Sequence, residues 1–289
     1  MWIAFAALSA LFAGITSVLA KCGIKQTSSN TATAIRTIVV LIFSWIMVFI
    51  AGSHTQIDTV SKKSWIFLIL SGIATGASWL CYFKALQSGD VNKVVPIDKS
   101  STVLTILLSF IILHEEITIA KGIGIVLIAA GTFLMIQKKT TEENNEEKKP
   151  NKKWIIYAVL SAVFASLTAI LSKIGITGVE SNLGTAIRTC VVLFMAWITV
   201  FAAKEQNSVK YIPKKELLFI CLSGIATGAS WLCYYKALQD GITGAVVAID
   251  KLSIIITVIF SFVFFKEKLS AKGLAGLLLL ICGTVAMLF

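Results

Sequence analysis

The chain has 289 residues, 57% hydrophobic and 14% charged, with a formal net charge of +11 and a mean hydropathy of +0.86. A water-soluble protein of this length needs far more polar surface, so the composition argues against a soluble enzyme and, despite the basic balance, against a nucleic-acid partner. His54 and His114 stand apart, and neither a GxxxxGK[ST] phosphate loop nor a Cys/His metal spacing occurs, so no cofactor or metal is expected.

The apolar residues fall in ten runs, near 2–20, 31–51, 64–86, 92–113, 119–137, 154–172, 183–203, 216–238, 243–265 and 269–288. Each is about 20 residues long, enough to cross a hydrocarbon core of about 30 Å as helix. The pattern predicts an all-α integral membrane protein. The first run lacks a basic start and a small-residue cleavage site, so it reads as a helix that stays in the membrane. All six cysteines lie in or beside apolar runs and read as small packing residues.

Residues 71–82 read SGIATGASWLCY, and residues 223–234 repeat those letters 152 positions later. The same offset carries Trp2 to Trp154, Arg36 to Arg188 and Asp98 to Asp250, so the chain is a tandem duplication. The units are 1–137 and 154–289. Between them the segment 138–153, KKTTEENNEEKKPNKK, reads as a solvated charged linker. Five runs per unit is an odd number, so the second unit enters the membrane from the opposite side. This predicts ten transmembrane helices as two inverted five-helix repeats.

Loop charge supports the inversion. Lys25 and Lys93 of the first unit become Thr177 and Ala245 in the second. Lys204, Lys210, Lys214 and Lys215 stand where the first unit has Lys62 and Lys63, and Lys266, Lys268 and Lys272 where it has His114, Glu116 and Lys121. In every comparison the richer loop falls on the linker side. The positive-inside rule makes that side cytoplasmic and places both chain ends outside.

Several side chains are candidates for chemistry. Arg36 and Arg188 stand near the starts of their helices, where a guanidinium either snorkels to headgroups or binds a carboxylate or phosphate at a cavity mouth. On a helix Ser71, Thr75, Ser78 and Tyr82 share one face, with Trp79 beside them and Gly72 and Gly76 continuing that side. Ser230, Trp231 and Tyr234 repeat the arrangement. Glycines at this spacing let another helix approach, and the hydroxyls can bond across it, so packing alone is one reading. Trp79 and Trp231 lie about 10 Å inside their helix ends, deeper than a headgroup belt, which makes them candidates to line a cavity.

The fourth span opens VVPIDKSSTVLT, with Asp98 and Lys99; Asp250 and Lys251 are their counterparts. A carboxylate this deep is costly unless paired or wetted, so each aspartate either serves a ligand or belongs to a buried pair that fixes packing. Pro96 can loosen the start of this helix, although Ala248 replaces it in the second unit. Lys84 and Lys236 fall away from the hydroxyl stripe and read as snorkels. Glu115 and Glu267 close their spans and read as residues of interfacial turns.

The closing segments IILHEEITIAKGIGIVLIAAGTFLM and VFFKEKLSAKGLAGLLLLICGTVAML follow YFKALQSGDVNKVVP and YYKALQDGITGAVVA. Together they resemble the EamA repeat of the drug/metabolite transporter superfamily over nearly the whole chain. The resemblance rests on Ala85-Leu86, Glu115 and Gly124/Gly131, with Ala237-Leu238, Glu267 and Gly276/Gly283 in the second unit. It implies two inverted five-helix units, alternating access, and a central cavity for amino acids or other small metabolites. Well-studied ten-helix relatives have cytoplasmic termini, opposite to the charge reading, and the Asp-Lys pair is not part of the family's general pattern.

A lining of acid, base, hydroxyl and tryptophan suits a small polar or zwitterionic solute. The expectation is a bacterial plasma-membrane exporter rather than an enzyme, with a small-molecule substrate and the lipid bilayer as partners. A multidrug or cation exporter is the alternative, although the first and sixth spans lack the acid of the four-helix multidrug relatives. A non-transporting sensor or assembly protein is the third reading.

Overall fold

The computed structural model describes residues 1–24, 26–88, 94, 97–135, 153–265 and 270–289. Lys25, Lys93, Pro96, Lys266, Glu267, Lys268 and nearly all of the linker lie outside the described residues. Within them the chain is helical, with no strand. The first unit contains α1 (Trp2–Gly23), α2 (Ser29–Ile50), α3 (Lys62–Ser88), α4 (Ser101–Ile112) and α5 (Ile119–Met135). The second contains α6 (Lys153–Gly175), α7 (Ser181–Ala202), α8 (Lys214–Asp240), α9 (Thr243–Lys251), α10 (Ser253–Phe265) and α11 (Ala271–Ala286). The sequence offset maps α2 onto α7 and α3 onto α8 residue for residue.

Helices start where a side chain accepts from the free N–H groups of a first turn. Ser28 accepts from Thr31 N (3.2 Å) ahead of α2, and its counterpart Glu180 from Leu183 N (3.0 Å) ahead of α7. Thr118 and Ser270 do the same for Lys121 N (3.2 Å) and Gly273 N (3.1 Å). After α2 the chain turns through the left-handed region at Gly52 (φ 68°), and after α7 at its counterpart Lys204 (φ 58°). Glycine adopts that conformation freely; lysine does not.

The fourth helix of each unit is interrupted. α9 ends at Lys251, Leu252 N bonds back three residues to Ile249 O (2.9 Å), and α10 resumes at Ser253. In the first unit the helical residues 97–99 give way at Ser100, whose N–H bonds to Ile97 O (3.2 Å) before α4. Both breaks follow directly on an Asp-Lys pair.

Among the described residues seven segments are long and apolar enough to cross a membrane, and α5 and α11 are shorter apolar helices. The tightest packing crosses between the units: α1 lies on α8, α3 on α6, α2 on α7 and α5 on α11. Partners run antiparallel. Along α1 and α8, Trp2 meets Gly241, Ser9 meets Ser230 and Gly23 meets Ile220. The glycine stripes serve these contacts reciprocally: Gly72 and Gly76 face Val191 and Met195 of α7, while Gly224 and Gly228 face Val39 and Phe43 of α2. A buried cluster of Val48, Leu68, Leu183, Ile187 and Tyr235 joins helices of both units. The cysteines are free, and Cys190 and Cys282 sit exposed on the outer surface instead of packing inside.

At the crossing of α5 and α11 backbone meets backbone. A Cβ added at Gly131 would lie 2.6 Å from Gly276 O, and one at Gly276 would lie 2.7 Å from Gly131 O. Gly131→Ala is therefore expected to lower thermal stability in detergent, at a cost of about 1–3 kcal/mol from overpacking. Gly122→Ala, whose added Cβ meets nothing within 4 Å, is the matched neutral control. Equal melting temperatures for the two variants would rule out a tight crossing.

Candidate functional site

The two aspartates are held alike. Ser161 Oγ donates to Asp98 Oδ1 (2.8 Å), and Ser78 Oγ donates to Ser161 O (3.1 Å). In mirror fashion Ser9 Oγ donates to Asp250 Oδ1 (2.9 Å), and Ser230 Oγ donates to Ser9 O (3.0 Å). Each set joins the fourth and third helices of one unit to the first helix of the other. The aspartates are thus partnered by hydroxyls, and among the described residues neither Lys99 nor Lys251 forms an ion pair within 4 Å. Ser9 and Ser161 escape the sequence reading because a lone serine in an apolar helix is common. Their 152-residue spacing is the signal that picks them out.

Between the units lies a cavity of about 170 Å³, lined by Arg188, Trp231, Tyr234, Asp250 and Lys251, and also by Thr102, Thr105 and Thr168. Arg188 is only 5% exposed. Its Nη2 donates to Thr75 Oγ1 (2.7 Å), whose own proton goes to Ser71 O (2.9 Å). The guanidinium carbon lies 4.9 Å from the centre of the Trp231 ring and 5.6 Å from that of Tyr235. Tyr235 is fixed in turn by a 2.7 Å hydrogen bond between its hydroxyl and Ser172 Oγ. Arg188 Nε is buried without an acceptor.

The first-unit counterparts sit differently. Trp79 packs against Ala34, Ala196 and Val200, and Tyr82 against Ala85, Val94 and Ala158. Arg36 Nη2 donates to Thr33 Oγ1 of its own helix (3.2 Å), beside a cavity of about 40 Å³. Lys99 is exposed. Five of the twelve candidate residues therefore line the 170 Å³ cavity, and Ser230 reaches Asp250 through Ser9. Of the two lysines read as snorkels, Lys236 pairs with Asp240 (3.1 Å), and Lys84 lies 5.5 Å from the Tyr157 ring.

A wider vestibule of about 550 Å³ lies at the end of α6 remote from Lys153, lined among others by Lys63, Glu115, Lys173 and Thr177. Ser172 lines the inner cavity, and Lys173, the next residue, lines the vestibule. Glu115 has a more specific place than an interfacial turn. Its carboxylate accepts from Thr243 N (2.5 Å) and Gly244 N (3.1 Å), capping α9 of the other unit. The Lys173 ammonium donates to the carbonyls of Leu238, Gln239 and Gly241 at the end of α8. A carboxylate thus meets a helix N-terminus and an ammonium a C-terminus, the arrangement the helix dipole favours.

A model of the EamA-like transporter family matches residues 1–137 and again residues 152–289. The chain belongs to the EamA-like transporter family. This EamA-like protein is a multi-pass membrane transporter. It is 42% identical over 134 residues to a Sinorhizobium sp. protein described as an uncharacterized transporter in the cobO 3′ region, covering 46% of this chain and 95% of that one. An uncharacterized transporter of Methanothermobacter thermautotrophicus is 22% identical over 231 residues, which are 76% of this chain and 64% of the other. A protein of known crystal structure superposes with a TM-score of 0.74 at 15% identity, over 97% of this chain and 94% of its own, a likeness of fold.

In this EamA-like transporter, Glu115→Ala leaves two backbone N–H groups of α9 without their acceptor. The variant should lose about 1–2 kcal/mol of stability, read as a lower melting temperature. Glu115→Gln, which keeps an acceptor oxygen, should lose less. A wild-type melting temperature for Glu115→Ala would refute the capping role.

Proposed function

We propose that this transporter moves a small polar or zwitterionic metabolite, such as an amino acid, by alternating access, and that it exports it across a bacterial plasma membrane. One observation carries the reading: a guanidinium, a carboxylate, an ammonium and a tryptophan face one cavity of about 170 Å³. Such a site offers opposite charges to opposite ends of a zwitterion, whereas Arg188 and Lys251 both repel a hydrophobic cation. The reciprocal, antiparallel packing of equivalent helices supports a ten-helix architecture of two inverted five-helix repeats. Rocking one unit against the other would open the cavity to each side in turn. On the charge reading the linker face is cytoplasmic, and the vestibule then opens outward.

Counterflow of radiolabelled amino acids in proteoliposomes tests the proposal. Uptake is expected to compete with unlabelled short-chain amino acids and not with tetraphenylphosphonium; the reverse pattern would make the protein a cation exporter. Asp98→Asn and Asp250→Asn should each slow transport by roughly tenfold or more, about 1.4 kcal/mol on the barrier, while remaining monodisperse. Normal transport by either variant would leave that aspartate a packing residue. A topology reporter fused after Phe289 should read extracellular, and a cytoplasmic signal would refute the charge-based orientation while sparing the inverted repeat.

A further inference from the structure

We infer that Arg188 is the carboxylate-recognition residue of this cavity, for a short amino-carboxylate whose amino end faces Asp250, and that Arg36 has no equivalent role. The inference rests on the reading of the cavity as the substrate site. A guanidinium carries five N–H donors and keeps its charge when buried. Arg188 is 5% exposed, yet its hydrogen-bond partner is a neutral hydroxyl, and its Nε is buried without an acceptor. Among the described residues no carboxylate lies within 4 Å of it. Nε belongs to an edge of the fork that binds carboxylates through two parallel hydrogen bonds. The group completing this site is an anion with two coplanar oxygens.

The surroundings hold that fork in place. Trp231 and Tyr235 supply ring faces, Ser172 fixes the Tyr235 hydroxyl, and the Thr75 proton is committed to Ser71 O, leaving a lone pair for Arg188. Asp250, which lines the same cavity, disfavours a second negative charge on the ligand and provides for an ammonium. Size sets the other limit. The cavity is about 170 Å³, which favours a short ligand.

The first unit lacks the parts. Arg36 donates to Thr33 of its own helix, although Thr227, the counterpart of Thr75, keeps the equivalent contacts, its proton on Ser223 O (2.7 Å) and Thr16 Oγ1 at 3.3 Å. Tyr235 corresponds to Phe83 and Ser172 to Ala20, so the hydroxyl pair that fixes the aromatic platform has no twin.

The test is calorimetric binding to the purified full-length protein of L-alanine, L-serine, L-threonine and L-aspartate, each beside its α-carboxamide. In the wild type at least one acid should bind roughly 30-fold or more tightly than its amide, since the amide cannot pair with the buried charge. Arg188→Gln should abolish the acid-over-amide preference, Arg188→Lys should keep part of it, and Arg36→Gln should keep all of it. Equal binding of acid and amide overturns the assignment while leaving an amino-acid transporter. If none of these compounds binds and tetraphenylphosphonium does, the functional reading falls as well. Equal wild-type binding of acid and amide overturns the assignment even if the Arg188 variants do not fold.

Discussion

A serine hydroxyl of one unit bonded to an aspartate of the other is the contact on which the interior depends. Hydrocarbon offers no water to a buried carboxylate, so the protein must supply the donor itself. Ser161 does so for Asp98 and Ser9 for Asp250, and each serine also presents its backbone carbonyl to a serine of a third helix. Because the aspartates sit just before the breaks at Ser100 and Leu252, the same bonds tie these helix interruptions to the opposite unit. Any rocking of the units must carry these bonds along or exchange them.

The rest of the packing follows from that cross-unit dependence. Glycines of α3 and α8 admit the bulkier residues of α7 and α2, and α5 and α11 meet backbone to backbone at their own glycines. The hydroxyl stripe of α3, facing α6, spends its polar groups there: Ser78 on Ser161, and Thr75 on Arg188 of the neighbouring α7. Neither unit buries these faces alone. The Sinorhizobium relative, 95% covered by a match of 134 residues, is a protein of about one unit's length.

The duplication, the helical class and the polar stripe are legible in the sequence because they are periodic or repeated. Trp, Arg and Asp recurring 152 residues apart announce equivalent positions, and glycines at a spacing of four announce close helix contacts. Three-dimensional divergence between equivalent residues is not legible in the same way. Arg188 turns toward Thr75 and two aromatic rings, whereas Arg36 stays on its own helix. Small exchanges accompany the difference, Tyr235 for Phe83 and Ser172 for Ala20, and they look conservative in a list of letters. Glu115 reads as a surface residue because the helix N-terminus it serves is 128 positions away.

The turn after the second helix of each unit has a consequence for how the chain is made. Gly52 takes a left-handed conformation at no cost, but Lys204 takes it against a strain of order 1 kcal/mol. In the finished protein a glycine there would be the easier choice. A positive charge matters sooner, when the emerging helices are being sorted across the bilayer and flanking lysines bias which end is retained. At Lys204 the strained turn thus carries a charge of the kind that biases helix orientation, where Gly52 carries none.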